Sequence, residues 1–386
     1  MMLSHSHPTV CAPDACVGCM LCQDICPKGA IRVEKGILSY NAVIDPALCV
    51  DCNLCHKMCQ VEHPEAVERR APISWKQGWS SDPVIRAHSS SGGIAQAISR
   101  AFIEAGGVVC SCVFEEGTFR FALARTQEEA KAFCGSKYVK SDPSGAYQQV
   151  KDLLREGTRV LFVGLPCQVG ALKVFIPLSL QENLYTIDLL CHGTPSPLLL
   201  EKYLEAYKRP LTSLRDIRFR DPQKTAYYLA CDERRLVKSE TDTYTDAFVL
   251  GVSFTENCYA CAYASCERAG DLTLGDSWGS QLPFEERWRG VSLTLVNTPQ
   301  GEQLLAMAEL HLVEVDIERA RSHNGTLNHP AKKHPMRQEL LSQIEAGASA
   351  RKQLRRAVPL KTRLKKRVKF LVPTGLRRVI KRMLKG

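Results

Sequence analysis

Four cysteines fall within eleven residues, at Cys16, Cys19, Cys22 and Cys26, and four more repeat the spacing at Cys49, Cys52, Cys55 and Cys59. A stretch so rich in thiols and so short of periodic apolar residues does not build a core from hydrocarbon alone; it folds around what the thiols hold. The chain opens "MMLSHSHPTVCAP", without the basic start and apolar run of a signal peptide. Eighteen cysteines without an export signal point to metal or redox chemistry in a reducing compartment, not to a disulfide scaffold. The expected location is the cytoplasm.

The first run, closed by Pro27, reads C-x2-C-x2-C-x3-C-P, the spacing of bacterial two-cluster ferredoxins. Two-residue steps let three thiolates wrap one cubane, and the fourth thiolate ligates the other cluster. Crossed ligation puts Cys16, Cys19, Cys22 and Cys59 on one [4Fe–4S] cluster, and Cys49, Cys52, Cys55 and Cys26 on a second. Zinc is the alternative, but it takes its ligands in pairs and does not call for a triplet. The second run ends in Gln60 where the first has Pro27, and Cys11 lies outside the pattern and reads as a bystander. Between the runs, "AIRVEKGILSYNAVI" alternates apolar and polar residues about Lys35-Gly36, which predicts a small hairpin. Residues 1–65 are thus expected to form a ferredoxin-like domain.

Such a domain is a wire, and most of the 386 residues lie beyond it. Residues 66–85, carrying Trp75 and Trp79, read as a connector. From Ser89 the texture becomes alternating helices and strands. "GGIAQAISRAFIEAGG" has helical spacing, "GVVCSCVF" and "FRFALA" read as strands, and "GAYQQVKDLLREG" is a helix leading into the strand "RVLFVG". "LYTIDLL", "DIRFR", "DLTLG" and "VSLTLVN" continue the series and predict a sheet reaching about residue 300. The pattern favours an α/β domain over 86–345 with a mixed sheet, then a tail over 346–386.

Nine cysteines follow the ferredoxin-like segment: 110, 112, 134, 167, 191, 231, 258, 261 and 266. Cys110 and Cys112 sit in an apolar strand, where cysteine acts as a small hydrophobe. Cys167 in "GLPCQ" and Cys191 in "CHGTPSP" each follow a strand, at the ends where α/β sheets assemble sites. Cys258 and Cys261 form a CxxC, with Cys266 close behind. These residues suit a metal site; zinc and plain structural cysteines stay open on spacing alone.

The motifs "SSSGG" at Ser89, "GSKYV" at Gly135, "GLPCQ" at Gly164, "CHGTPSP" at Cys191, "CYAC" at Cys258 and "DLTLGDSWG" at Asp271 occur in that order. Over about residues 80–340 this series resembles the beta-subunit family of coenzyme F-420 (deazaflavin) hydrogenases and dehydrogenases. A two-cluster ferredoxin domain fused in front is similar to the electron-input subunits of deazaflavin dehydrogenases, and to reductases acting on chlorophyll side groups. The resemblance implies FAD and a third [4Fe–4S] cluster, carried to Cys167, Cys191, Cys258 and Cys261, with Cys266 open as a substitute. It implies flavin contacts at Ser90, Ser91, Gly92 and Gly93, where a turn opens a helix and so favours an anion, against the plainer reading of a helix cap. Gly135, Ser136, Lys137 and Tyr138 are a second set, with Lys137 able to pair a phosphate or the anionic flavin. His192 is the candidate proton shuttle, against a histidine bonded within its own loop. Asp276 positions a loop or caps a turn.

The formal charge of +10 is local: residues 351–386 hold fifteen Lys and Arg and no acid, which leaves −5 for the rest. Apolar residues at 360, 364, 368 and 371, then at 376, 379, 380 and 383, predict a basic amphipathic helix pair broken by Pro373 and Gly375. That pattern suits peripheral attachment to an anionic membrane surface; nucleic acid is disfavoured because Phe370 alone offers stacking. No apolar run approaches a membrane span. The expected function is an iron–sulfur flavoprotein oxidoreductase with a deazaflavin coenzyme or a ferredoxin as redox partner. A ferredoxin-dependent reductase of another organic substrate, such as one of surface-polysaccharide metabolism, and a non-catalytic electron-transfer subunit needing a partner subunit are the alternatives.

Overall fold

A computed structural model describes residues 9–220, 227–232, 234–236 and 242–371. The hairpin forms as expected. Strand β1 (Ile31–Lys35) pairs antiparallel with β2 (Tyr40–Ile44), Ile31 opposite Ile44. Their alternation buries Ile31, Val33, Tyr40, Ala42 and Ile44 on one face, against Val10, Met20 and the cysteine runs. The two runs fold alike. Each makes a short helix, Leu21–Asp24 and Leu54–Lys57, at the offset of the cysteine repeat. Each is entered through left-handed residues at matching positions, Gly18 and Met20 in one, Asp51 and Asn53 in the other.

The stretch 66–85 is not a connector. Its residues Ser74–Ser80 form β3, flanked on both sides by strands of the main sheet. Proline-rich flanks and a polar "SWKQGWS" texture disguise it in the sequence. Gly78 shows why the texture is unusual: a Cβ there would lie 1.9 Å from the His311 carbonyl oxygen, so only glycine allows the neighbouring strand this close.

The remaining strands are β4 (Val108–Glu115), β5 (Thr118–Ala124), β6 (Val160–Gly164), β7 (Leu184–Leu189), β8 (Ile217–Arg220), β9 (Tyr227–Cys231), β10 (Arg234–Arg235), β11 (Leu272–Asp276), β12 (Ser292–Val296) and β13 (Leu310–Glu314). Eight strands make the main sheet, in the order β13-β3-β12-β11-β7-β6-β4-β5. Its centre, β11-β7-β6-β4, is parallel and its flanks are antiparallel, so the sheet is mixed, as the element pattern predicts. Two expectations are corrected here. "DIRFR" forms β8 of a separate three-stranded sheet with β9 and β10, and β13 carries the main sheet past residue 300.

The parallel strands are covered on both faces, which is why β6 reads as a continuous apolar run. Helices Ile94–Glu104 and Pro299–Met307 cover one face through Ile94, Ile98, Phe102 and Leu304. Helices Ala146–Arg155 and Pro166–Phe175 cover the other through Tyr147, Val150, Leu154 and Val169, and Leu21 of the N-terminal unit joins that same core.

The N-terminal unit is firmly docked. Ile37 N–H donates to Glu345 Oε1 at 2.8 Å, and Gly145 N–H donates to Asp24 Oδ2 at 2.8 Å. The fully buried Arg337 donates to the carbonyls of Leu38 and Phe254 and pairs with Glu256 at 2.8 Å, tying the hairpin loop to the segment before Cys258. At the other end, helix Leu360–Leu371 matches the first half of the predicted basic pair, with Leu360 and Leu364 exposed; residues 372–386 lie outside the described residues. Among the described residues, no helix is long and apolar enough to cross a membrane.

Candidate functional site

The eight cysteines of the repeat separate into two groups. Cys26, Cys49, Cys52 and Cys55 ring one small cavity, together with Pro27, Ile31, Ile44 and Leu54. Cys16, Cys19, Cys22 and Cys59 act electrostatically on one another on the inner side, and Cys22 also feels Cys55 of the outer group. Cys26 therefore sits with the second run and Cys59 with the first, the exchange that crossed ligation requires. Burial pushes the Cys19 thiol up to about 12. Cys11, set aside by the spacing, is buried against this inner group. Hydrogen bonds from its thiol pull Cys16 down to about 7 and Cys59 down to about 6.

A third group of thiols is assembled from distant parts of the chain. Cys167 opens helix Pro166–Phe175 directly after β6, and Cys191 follows β7. Cys258 and Cys261 come from the loop before β11. All four act electrostatically on one another, and burial drives Cys191 up to about 12 and Cys167 well above the usual thiol range. Backbone N–H groups point at the sulfurs, from Gly193 to Cys191 at 3.4 Å and from Thr194 to Cys258 at 3.5 Å. The CxxC loop is held by a buried ion pair: Arg268 binds Asp188 of β7 at 2.8 Å and donates to the carbonyls of Tyr263, Ser265 and Leu189. Cys266 stands apart; its thiol donates to the Leu327 carbonyl and packs near Trp75.

Thiols that crowd together and accept backbone N–H bonds are the donor chemistry of iron–sulfur clusters, and the three groups fit such clusters. Among the described residues, no three Cys, His, Asp or Glu side chains converge as a single metal ion would need.

Beside the third group lies a cavity of about 280 Å³. Cys191 forms part of its wall, as do Ser90, Ser91, Gly93 and the whole of Gly135, Ser136, Lys137 and Tyr138. The two loops that resemblance assigns to the flavin are joined here, because Ser136 N–H donates to Ser90 Oγ at 2.8 Å. Gly93, at φ +87°, caps helix Ile94–Glu104. Gly92 packs so tightly that a Cβ would come within 2.3 Å of the Gly78 carbonyl oxygen. Lys137 is otherwise engaged than expected: its ammonium donates to the carbonyls of Ala132, Phe133 and Cys134 at 3.1–3.2 Å, so it braces the turn. His192 lies in the cavity wall, and crowding by protein atoms lowers its pKa, with Asp276 opposing. Asp276 itself pairs with Arg220 at 3.1 Å, and Arg220 also donates to the Ser90 carbonyl at 2.6 Å.

Residues 76–146 match the N-terminal family model, and residues 157–318 the C-terminal one, of the coenzyme F420 hydrogenase/dehydrogenase beta subunit. The chain belongs to this family. Residues 15–63 match a 4Fe–4S dicluster domain, so the F420 hydrogenase/dehydrogenase beta module carries an iron–sulfur unit in front, and the protein is of an electron-transferring oxidoreductase type. Among solved structures, it is similar to a chain of the xenon-derivatised F420-reducing [NiFe] hydrogenase complex from Methanosarcina barkeri. The identity is 17%, the TM-score 0.45, and the match covers 68% of this chain and 97% of that one. No curated protein matches.

One residue that the spacing argument passed over ties the parts together. Gln60, in the place of the ferredoxin proline, is buried; its amide donates to the Cys167 carbonyl at 2.8 Å and reaches the Cys19 sulfur. Its carbonyl oxygen accepts from the Tyr263 hydroxyl. The signal was present in the sequence as a broken motif.

Proposed function

We propose that this protein passes electrons through three [4Fe–4S] clusters to an FAD, which exchanges a hydride with a deazaflavin coenzyme. Cys16, Cys19, Cys22 and Cys59 would hold the first cluster, Cys26, Cys49, Cys52 and Cys55 the second, and Cys167, Cys191, Cys258 and Cys261 the third. The observation that carries this reading is the position of Cys191, which belongs to the third thiol group and also walls the 280 Å³ cavity. When bound, the clusters supply one-electron steps and the flavin supplies the two-electron step. The residues of the chain bind and orient. Ser90, Ser91 and Gly93 offer the flavin a close approach at a helix start, where an anion is favoured, while Gly92 packs against Gly78 and donates its N–H to Ser292 Oγ. Gly135, Ser136 and Tyr138 form the facing wall, held in place by Lys137. His192, kept below its ordinary pKa by its surroundings, is unprotonated at neutral pH and suited to accept a proton.

The test is anaerobic. Reduced deazaflavin added to the isolated protein should bleach the bound flavin; a flavin that stays oxidised removes the deazaflavin step and leaves a reductase of another substrate.

A second reading is favoured by the outer thiol group. Cys52 is exposed, and Leu48 and Val50 beside it are more than half exposed, which suits docking of a ferredoxin or a partner subunit that completes the active site. Turnover of an artificial acceptor by the chain alone would exclude the partner-dependent form. The basic stretch from Arg351 supports a further element, peripheral attachment to an anionic membrane from the cytoplasmic side. Loss of residues 361–386 should then abolish sedimentation with anionic vesicles, and unchanged sedimentation would overturn it.

A further inference from the structure

Lys140 is 4% exposed, and among the described residues no carboxylate neutralises it. Its ammonium donates to the Val17 carbonyl at 3.0 Å, inside the first cysteine run, and lies 5.3 Å from the centre of the Tyr40 ring. Its backbone belongs to the other half of the site: Lys140 N–H donates to the Pro195 carbonyl at 2.8 Å, in the loop that follows Cys191. Gly18 makes room for the stem, since a Cβ there would stand 3.0 Å from Lys140 Cδ and 2.8 Å from the Tyr40 ring. A buried cation without an anion is costly. Its charge acts on the Tyr40 hydroxyl and on sulfurs of both thiol groups, Cys16 on one side and Cys167, Cys191 and Cys261 on the other, in each case favouring the anion. Cys258, Cys167, Tyr40 and Cys16 in turn favour the charged lysine against the pull of burial.

We propose that Lys140 is a charge bridge whose buried ammonium, seated between the inner ferredoxin thiols and the thiols beside the cavity, raises the reduction potentials of both clusters. The physical reason is direct. Reduction adds one negative charge to a site, and a fixed cation a few side-chain lengths away in a poorly screened interior favours the reduced form. Serving two sites at once, the lysine lets one electron leave the ferredoxin side and arrive on the cavity side without a large difference in potential. No proton moves and no bond is made or broken. Lys140 is a positioning residue for charge, remote from the reacting atoms of the substrate.

This inference rests on the assignment of those thiols as cluster ligands, and one experiment separates the two. Full-length protein is prepared anaerobically as wild type, Lys140→Met, Lys140→Gln and Lys140→Arg, with iron counted and each cluster titrated potentiometrically by electron paramagnetic resonance. With all clusters loaded, the Met and Gln variants should show two midpoint potentials shifted to more negative values, while the third, belonging to Cys26, Cys49, Cys52 and Cys55, stays in place. The Arg variant should remain near wild type. Unchanged potentials in both neutral variants, or an equal fall in all three clusters, would overturn the charge bridge while leaving the ligand assignment intact. A wild type lacking a third of the expected iron would instead overturn the assignment, and the inference with it. If the neutral variants fail to load iron where Arg loads it, the charge requirement stands in a stronger form; failure of all three would make the residue a packing element and overturn the proposal.

Discussion

The two kinds of thiol cluster in this protein are built in opposite ways. In the N-terminal unit, local spacing does the work: eight cysteines in two short runs, each with its own four-residue helix and its own left-handed turn, wrap two sites within one small unit. The third group has no local code. Cys167 and Cys191 meet because β6 and β7 run side by side and end together, and the Cys258/Cys261 loop is brought to them by the Pro195–Phe254 bridge and the Arg268–Asp188 ion pair. A local motif tolerates a small core, because the thiols and what they hold replace one. A site made from strand ends depends on the whole sheet and on the ion pair that pins its loop.

This contrast fixes the order of expected effects. Replacing a cysteine is largest. Cys191→Ala should remove about four of about twelve iron per chain and spare both N-terminal clusters. Cys59→Ala should instead strip the cluster of Cys16, and Cys26→Ala the cluster of Cys49, which resonance spectra of the two variants would distinguish; the reverse assignment would break the crossed pairing. Next comes the buried pair. Arg268→Leu leaves Asp188 charged and unpaired at full burial, and should cost about 3–5 kcal/mol in thermal unfolding while disturbing the third group first. A smaller loss, about 1–3 kcal/mol, is expected for Gln60→Ala, which orphans the Tyr263 hydroxyl and frees the Cys167 carbonyl. The mildest contrast is kinetic: an iron chelator should empty the group of the exposed Cys52 before the buried groups, as followed by the loss of its resonance signal.

What was legible in the sequence follows the same division. The repeat told its own story through spacing, and the main elements from Ile94 to Leu189 were readable because helical and strand periods are local properties. The mixed sheet was readable too, from alternating elements. Strand β3 was not, since half its residues are polar and its glycine serves a neighbour 233 residues away, His311. Nor could spacing show that Gln60 bridges to Cys167, that Cys11 lies against Cys16 and Cys59, or that Lys137 folds onto its own turn. Each depends on a contact between segments that the sequence keeps far apart or on the conformation of one turn. Departures from a motif, such as Gln60 for proline, mark where such contacts fall.

The central claim is that a third cluster site stands between the ferredoxin unit and the cavity. Iron counted per chain on anaerobically prepared full-length protein, beside its Cys191→Ala variant, tests it most directly. The account predicts about twelve iron in the wild type and about eight in the variant. About eight in both would contradict it.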